Sequence, residues 1–346
     1  MNFLKFTINI FIIPLFFISC EMEFEDEEIV EIETENPDNN STNNEPNLNK
    51  WVRCSDFGGG SRSEAVDDFW EYEPNTNVWT QIANFGGGER YSAISFVIGN
   101  KAYVGTGKKS FETFNDIWEY SPSENLWTEK SNLIGMSRFG ASTFVINGKA
   151  YLGMGENGSI HFNDFYEYKV NSDTWEQISD FPGEKRSNAV SFVINNYAYL
   201  GLGSSGYFDF YKDFFKYDAV NEEWEKISDF NGNARNNAVS FAIGDFAYVV
   251  TGQNNYDYYK DFWKFDTSKN TWLEITNFSG EERASATSFV IGNTAYISTG
   301  IKDYDDEKDT WVYLVDGSFV SFEKYEITKD DNDNGKIEPK QLILVF

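Results

Sequence analysis

Two charged residues recur along the chain at matching steps, and both could take part in chemistry. An arginine opens each of several similar stretches, and an aspartate follows 26 or 27 residues later in the regular ones. The arginines are Arg62, Arg90, Arg138, Arg186, Arg235 and Arg283, and the aspartates are Asp68, Asp116, Asp164, Asp213, Asp261 and Asp309. A guanidinium is a planar fork of donors that can bind an anion or grip a carboxylate with two hydrogen bonds.

This pattern has two interpretations. The arginines could form a ring that captures an anionic ligand. Alternatively, each arginine could pair with an aspartate of its own or an adjacent unit in a buried bidentate contact. A contact that recurs in every unit suits a scaffold better than a binding site, because a site requires asymmetry. We therefore favour a structural arginine ring.

The repeats differ most from one another in the segments 108–115, 156–163, 204–212, 253–260 and 301–308, which are rich in aromatic residues. Aromatic faces with polar tips suit the apolar faces of sugar rings or the side chains of a peptide. In the alternative interpretation, these residues extend the strands and cover the sheet edge. The predicted ligand-binding residues are Phe111, Phe114, Phe162, Tyr207, Phe208, Tyr211, Tyr256, Tyr258, Tyr259 and Tyr304.

Catalysis has little support in the sequence, and we assign no catalytic residue. His161 is the only histidine, so a Ser-His-Asp arrangement could be built only around it. Carboxylate-only chemistry stays open because acidic residues are abundant, although no pair stands out. The alternative to a binding module is therefore a carbohydrate-active enzyme, such as a sugar mutarotase or lyase, using carboxylates, arginine and tyrosine.

A possible calcium loop lies near the end of the chain. Asp330, Asn332 and Asn334 offer oxygen ligands at alternate positions, and Gly335 follows where such a loop turns. Gln341 stands where a bidentate glutamate would be needed, so a solvated acidic tail over 328–346 is the favoured interpretation. Calcium is thus a weak candidate, and no other cofactor is expected.

The elements that position these residues follow from a repeat of about 48 residues. The stretch SFVIGNKAYVGTG at Ser95 returns in varied form at Thr143, Ser191, Ser240 and Ser288. It predicts two short strands joined by a tight Gly/Asn turn, and two further strands complete each unit. The first strand is apolar on both faces, so the four-stranded sheets must pack on one another. Radial packing of such sheets predicts an all-β fold, a β-propeller.

The first unit is shorter than the others. Asp68 follows Arg62 by 6 residues, whereas Asp116 follows Arg90 by 26, so about one hairpin is missing. We predict a nominally six-bladed propeller over 50–327, with five complete four-stranded blades and one partial blade. The segment 51–57 could supply the outer strand of the last blade, and 319–327 could compete for that place.

The repeat resembles the kelch family, with a glycine closing the second strand, an aromatic pair in the third and Trp127 or its equivalents in the fourth. The resemblance spans residues 51 to about 322 and implies a kelch-like propeller of the galactose oxidase type. The chain departs from the usual glycine doublet at Gly105-Thr-Gly107 and its equivalents. A copper-radical oxidase is not expected, since such propellers use several histidines and this chain has only His161.

The N-terminus predicts export. An apolar run ends in Phe17-Ile-Ser-Cys20, which resembles a bacterial lipobox, so residues 1–19 are read as a lipoprotein signal peptide and Cys20 as the acylated residue. An ordinary signal peptide is the alternative. Residues 20–49 are acidic and Asn-rich and predict a flexible tether. The acidic start of this tether resembles the surface-export signals of lipoproteins in Bacteroidetes.

Charge and cysteine content limit the kinds of partner that the chain could bind. The formal net charge of −28 argues against nucleic acid, because binding to phosphates depends on Lys and Arg. With Cys20 acylated, Cys54 would have no disulfide partner in the chain, and it aligns with Ile82 as a small buried residue. The sequence predicts a monomer, lipid-anchored in the outer membrane of a cell envelope, that binds a glycan or a protein.

Overall fold

The computed structural model describes residues 15–19, 50–56, 65, 67–73, 78–303, 305–307 and 309–314. All of the regular secondary-structure elements in these residues are β-strands. None of them forms a helix that could cross a membrane.

Short apolar runs separated by two-residue turns dictate the local structure. Ile94–Ile98 and Lys101–Gly105 pair antiparallel around Gly99, whose φ is +64°. The equivalent turn at Asn195 and Asn196 holds both residues at positive φ, which asparagine tolerates better than most residues. These turns make each innermost strand and the strand after it a tight hairpin.

The strands fall into six groups along the chain. The first four are β1 (Leu15–Ser19), β2 (Lys50–Asp56), β3 (Asp68–Glu73) and β4 (Val78–Ile82). The next group is β5 (Ile94–Ile98), β6 (Lys101–Gly105), β7 (Lys108–Lys109), β8 (Glu112–Thr113), β9 (Ile117–Ser121) and β10 (Leu126–Lys130). It is followed by β11 (Ser142–Ile146), β12 (Lys149–Gly153), β13 (Glu156–Asn157), β14 (Ile160–His161), β15 (Phe165–Lys169) and β16 (Thr174–Ile178).

The remaining strands repeat the same plan. One group is β17 (Val190–Ile194), β18 (Tyr197–Gly201), β19 (Phe214–Asp218) and β20 (Glu223–Lys226). The next is β21 (Val239–Ile243), β22 (Phe246–Val250), β23 (Phe262–Asp266) and β24 (Thr271–Glu274). The last is β25 (Thr287–Ile291), β26 (Thr294–Ser298), β27 (Ile301–Lys302), β28 (Asp305–Asp306) and β29 (Asp309–Leu314).

These strands build five four-stranded antiparallel sheets, which are blades 2 to 6 of a propeller. Four of them are β5-β6-β9-β10, β11-β12-β15-β16, β17-β18-β19-β20 and β21-β22-β23-β24, each from one continuous stretch. The innermost strands contact each other in sequence, from β5 to β11, β17, β21 and β25. The predicted fold class, an all-β propeller of four-stranded blades, is confirmed.

The core lies between the blades. Between blades 2 and 3, for example, Phe96 and Tyr103 stack at 4.9 Å and pack against Tyr168 of the next blade. Similar clusters of buried residues lie between blades 3 and 4, 4 and 5, and 5 and 6. The sheets of blades 3, 4 and 5 are thus buried on both faces by neighbouring sheets, as the two-sided apolar strands require.

Blade 6 combines a strand from the N-terminal part of the chain with the last described strands. Its sheet runs β25-β26-β29-β2, so Lys50–Asp56 supplies the outer strand, with a bulge between Arg53 and Ser55. Of the two segments proposed for this place, the structure selects the N-terminal one. The competing segment 319–327 lies outside the described residues.

In the described residues, blade 1 is a three-stranded sheet of order β1-β3-β4. β3 and β4 are the third and outer strands of the shortened first unit. β1 occupies the second-strand position, antiparallel to β3, with Ile18 opposite Phe69. This placement of a segment from the predicted leader was not foreseen from the sequence, and it leaves the prediction of leader removal untested.

Candidate functional site

The repeated arginines are buried structural clamps in the five complete blades. In each of these blades the guanidinium binds both carboxylate oxygens of the aspartate that opens the third strand of the same blade, as Arg138 does with Asp164 at 2.6 and 2.9 Å. Nη1 also donates to a carbonyl at the end of the second strand, which is Met154 O at 2.9 Å in this blade. The five arginines are Arg90, Arg138, Arg186, Arg235 and Arg283, all at most 2% exposed. Their donors are therefore committed to the fold and are not available to an anion; Arg62 lies outside the described residues.

Aromatic rings cover the clamps. The Cζ atom of Arg186 lies 5.0 Å from the ring centroid of Phe181 and 4.0 Å from that of Tyr211. Arg235 lies in the same way between Phe230 and Tyr259. A guanidinium close to two rings gains cation–π attraction in addition to its ion pair. Two of the predicted ligand-binding residues, Tyr211 and Tyr259, are thus partly used by the scaffold.

Phe114 and Phe162 belong to the same structural class. Phe114 covers Arg90 at 4.2 Å, and the buried Phe162 covers Arg138 at 4.4 Å. In blade 6 the equivalent position is Glu307, which accepts a long hydrogen bond of 3.4 Å from Arg283. Burial raises the pKa of Glu307, with Asp309 adding to the effect and Arg283 opposing it.

Electrostatics at the clamp follow from its geometry. Burial disfavours the ionised form of Asp164, but the hydrogen bonds and positive charge of Arg138 outweigh it, so the pKa of this carboxyl is lowered. Burial, and then the hydrogen bond to Asp164, raises the pKa of the Tyr166 hydroxyl to about 12. The pair is therefore a fixed ionic contact and not a source of protons at neutral pH.

One face of the propeller, which we call the loop face, carries the connections from second to third strand and those from each outer strand to the next blade. This face also carries most of the exposed apolar side chains of the described residues. Eight of the eleven large apolar side chains exposed among the described residues lie there. They are Tyr91, Phe111, Ile134, Met136, Ile160, Tyr207, Phe208 and Tyr256.

Four predicted binding residues are among these exposed side chains. Phe111 is fully exposed at the turn between β7 and β8, while Tyr207, Phe208 and Tyr256 are 73%, 72% and 83% exposed. Tyr258 is half-buried, bridging to Gln253, and Tyr304 lies outside the described residues. Eight of the ten predicted residues therefore divide into four clamp covers and four exposed tips.

Three of the tips lie on two joined loops of neighbouring blades, and we call them the aromatic patch: Tyr207, Phe208 and Tyr256. Tyr207 and Phe208 meet edge to face at 4.9 Å. The Asn255 side chain of blade 5 donates a hydrogen bond to the Tyr207 carbonyl of blade 4, so the two loops are joined. Backbone bonds from Ser205 to Asp209 and from Asn254 to Asp257 close each loop into a tight turn. Exposed rings on tied loops form a preformed surface.

A polar cluster lies further in, where the inner strands begin. Glu156 Oε1 accepts a hydrogen bond from the buried Ser187 hydroxyl at 3.0 Å, and its Oε2 lies 3.3 Å from His161 Nε2. In blade 2 the equivalent of Glu156 is Lys108, whose Nζ lies 3.7 Å from the ring centroid of Phe139. The residue three positions after the end of each second strand thus differs chemically from blade to blade. Sequence reasoning missed this position, although alignment of the repeats displays it.

Metal ligation has no described candidate. No group of three or more His, Cys, Asp or Glu side chains capable of holding a metal ion occurs among the residues that the structure describes. The calcium candidates Asp330, Asn332 and Asn334 lie outside those residues, as does the predicted acylation residue Cys20.

The class that the fold defines is a β-propeller with an asymmetric loop face. No family model matches the chain, and no curated protein matches it. Among solved structures, that of YjhT, a propeller, is similar, with a TM-score of 0.64 and 19% identity over 75% of this chain and 96% of that one. At that identity the likeness shows the fold alone.

Proposed function

We propose that this protein is a binding module of the kelch-like type whose loop face recognises a glycan or a protein segment. The observation that supports it is the aromatic patch, in which two loops of neighbouring blades are tied together while their three rings stay exposed. Large apolar side chains held in solvent on a rigid scaffold are typical of contact surfaces.

A glycan is the favoured ligand class. The patch offers ring faces, which stack on the apolar faces of sugars, and two of the rings are tyrosines with polar tips. The exposed carboxylates of Asp209 and Asp257 flank it and can accept hydrogen bonds from sugar hydroxyls. The same carboxylates repel acidic protein segments, and the formal net charge of −28 of the whole chain adds to that repulsion.

The test is a glycan-array screen followed by measurement of affinity for the best hit. Changing Tyr207→Ala together with Tyr256→Ala should abolish binding. Changing Leu126→Ala together with Leu273→Ala should not, because these residues are also exposed but lie on outer strands away from the loop face. Equal losses in the two double variants would refute the proposal.

The same glycan hits distinguish a binding module from the alternative, a carbohydrate-active enzyme. Each glycan hit is incubated with the protein, and reducing sugar or anomeric change is followed. Binding without turnover supports the module, whereas turnover would replace it with an enzyme. The polar cluster at Glu156 and His161 would then be the first place to mutate.

The site of action is also a proposal. We propose that the chain is anchored in the outer membrane through lipid on Cys20, with 20–49 as tether, and acts as a monomer. Incorporation of labelled palmitate into the exported protein, and its loss in Cys20→Ala, tests the anchor. Label retained in Cys20→Ala would refute it.

A further inference from the structure

The mouth of the propeller on the loop face is surrounded by one variable position from each complete blade. This rim position pairs with the residue that follows the clamp arginine of the same blade. Backbone hydrogen bonds between consecutive blades run beside it, such as Gly140 N to Ser92 O at 3.1 Å and Asn188 N to Gly140 O at 2.8 Å. The rim therefore lies around the propeller axis, where the innermost strands begin. Its residues are Lys108, Glu156, Ser204, Gln253 and Ile301.

Two of the rim side chains bind a side chain of the next blade. Glu156 accepts a hydrogen bond from Ser187 of blade 4, and the Ser204 hydroxyl oxygen accepts one from Asn236 of blade 5 at 2.8 Å. No acceptor for the Ser204 hydroxyl proton occurs in the described part of the chain. This buried hydroxyl can therefore donate to a ligand in the mouth.

Lys108 is the charged rim residue that has no polar partner. Its Nζ lies 3.7 Å from the ring centroid of Phe139 and 5.3 Å from that of Tyr91, and none of the described carboxylates pairs with it. The neighbouring Lys109, by contrast, forms an ion pair with Glu89. A half-buried ammonium beside two rings keeps N–H donors for an anion.

Gln253 is a second rim residue whose side chain makes no hydrogen bond within the described ranges. By the pattern of the other rim residues it would reach Ala284 of blade 6, whose side chain has no polar atom. Its amide is therefore free to donate and to accept. Blades 2 and 5 are three places apart around the propeller, so Gln253 and Lys108 lie across the mouth from each other.

We propose that the mouth binds a sugar that carries a carboxylate, of the uronic acid class. Lys108 binds the carboxylate, while Ser204 and Gln253 bind the hydroxyl groups. The inference rests on the proposed function and narrows it to glycans that present an acidic unit to the mouth. A hydrogen bond between two charged groups is stronger than one between neutral groups, so Lys108 determines the preference for the acid.

The mouth and the aromatic patch are carried by the same loops. Ser204 begins the loop whose tip holds Tyr207, and three residues span at most about 11 Å. The carboxylates of Asp209 and Asp257 flank the patch and would repel a second carboxylate. The acidic unit is therefore expected in the mouth and neutral units on the patch.

The test compares glucuronic and galacturonic acid with glucose and galactose, in which a hydroxymethyl group replaces the carboxylate. Affinities for the full chain are measured by calorimetry or by ligand titration followed by NMR. The unmodified chain should bind one acid at least about tenfold more tightly than its neutral counterpart, because hydrogen bonds to charged groups contribute more than neutral ones. Lys108→Met should remove this preference, and Lys108→Arg should keep most of it.

Lys109→Met is the matched control, because it removes a neighbouring charge on the same loop and should leave the preference intact. Equal affinity for acid and neutral sugar, absence of binding to both acids, or a preference that survives Lys108→Met would overturn the inference. So would a preference that Lys109→Met removes as fully as Lys108→Met.

Failure of the mouth site is distinguishable from failure of the binding module. Glycan-array hits that depend on the aromatic patch but are unaffected by Lys108→Met would refute the mouth site and leave the module standing. A peptide with a free C-terminal carboxylate is the remaining comparison, measured against its amide. Tighter binding of the free acid than of any sugar, lost in Lys108→Met, would assign the mouth to a protein ligand and refute the sugar.

Discussion

Arg186 and Asp213 form a two-pronged ion pair within blade 4, with Nη1 to Oδ1 at 2.5 Å and Nη2 to Oδ2 at 3.0 Å. The guanidinium is fully buried, and it also donates to the carbonyls of Leu202 and Glu184. The pair therefore ties the connection that enters the blade to the end of its second strand and the start of its third. Repeated in the five complete blades, it holds the base of each variable loop in one geometry.

The clamp should be necessary for stability. Arg186→Ala leaves the Asp213 carboxylate without its partner, and breaking a buried pair from one side costs about 3–5 kcal/mol. Chemical denaturation measures this free energy of unfolding. Lys169→Ala is the control, because its ion pair with Glu176 is exposed and should contribute nothing measurable. A loss below about 1 kcal/mol in Arg186→Ala would contradict the structural role.

Hydroxyl groups on the innermost strands, most of which donate to a carbonyl of the preceding blade, give a paired prediction. Ser191→Ala removes a donor that bonds the Thr143 carbonyl, so it should lower the free energy of unfolding by about 1 kcal/mol. Ser95→Ala removes a buried hydroxyl without a partner and should be neutral or stabilising.

Thermal and denaturant unfolding of both variants against the unmodified chain measures the difference. Equal destabilisation by the two changes would show that Ser95 has an acceptor after all.

The scaffold could be predicted from sequence because its determinants are local and repeated. An arginine and an aspartate 26 or 27 residues apart, such as Arg186 and Asp213, recur in every complete blade, and the turn at Asn195 and Asn196 predicts a hairpin by itself. For the loop face, the sequence predicted where the loops lie but not which of their rings are exposed. Tyr211 and Tyr207 lie four residues apart, yet one covers an arginine and the other is exposed, because the way the loop folds back decides which ring meets the guanidinium.

Contacts between loops of different blades were beyond prediction. The hydrogen bond from Asn255 to the Tyr207 carbonyl depends on the heights of two turns above the face, which no pattern within either loop encodes. The placement of β1 beside β3 was hidden for another reason. An apolar run near the N-terminus is equally typical of a leader and of a buried strand.

Buried tyrosines predict instability in alkali. Burial raises the pKa of Tyr103 and of Tyr168, and hydrogen bonds to Glu119 and Asp173 add to the effect. A folded-state pKa above the unfolded value of about 10 means that the contribution to stability is complete below that pH and is lost as pH rises above it.

Ultraviolet absorbance of tyrosinate and far-ultraviolet circular dichroism should therefore change together in part of an alkaline titration. Tyr168→Phe serves as the matched variant, since it keeps the ring and removes the ionisable group, and it should shift this coupled step to higher pH. Complete ionisation of tyrosine before any loss of circular dichroism would be inconsistent with the buried positions.

Blade 6 offers a stabilising substitution. Glu307 occupies the place that Tyr211 and Tyr259 take in other blades, so Glu307→Tyr should complete the aromatic cover over Arg283 and raise the free energy of unfolding by about 1 kcal/mol. The gain in free energy of unfolding from Glu307→Tyr should depend on pH. Because the pKa of Glu307 is raised in the folded chain, its contribution to stability is present below the unfolded value of about 4.3 and is lost as pH rises. Replacement is therefore expected to help more at pH 7 than at pH 4. Tyr259→Glu is the reciprocal variant, which should destabilise blade 5 and do so more strongly at neutral pH. If Glu307→Tyr lowers stability, or changes it equally at both pH values, the carboxylate is a favourable partner of Arg283 and the aromatic cover is not interchangeable between blades.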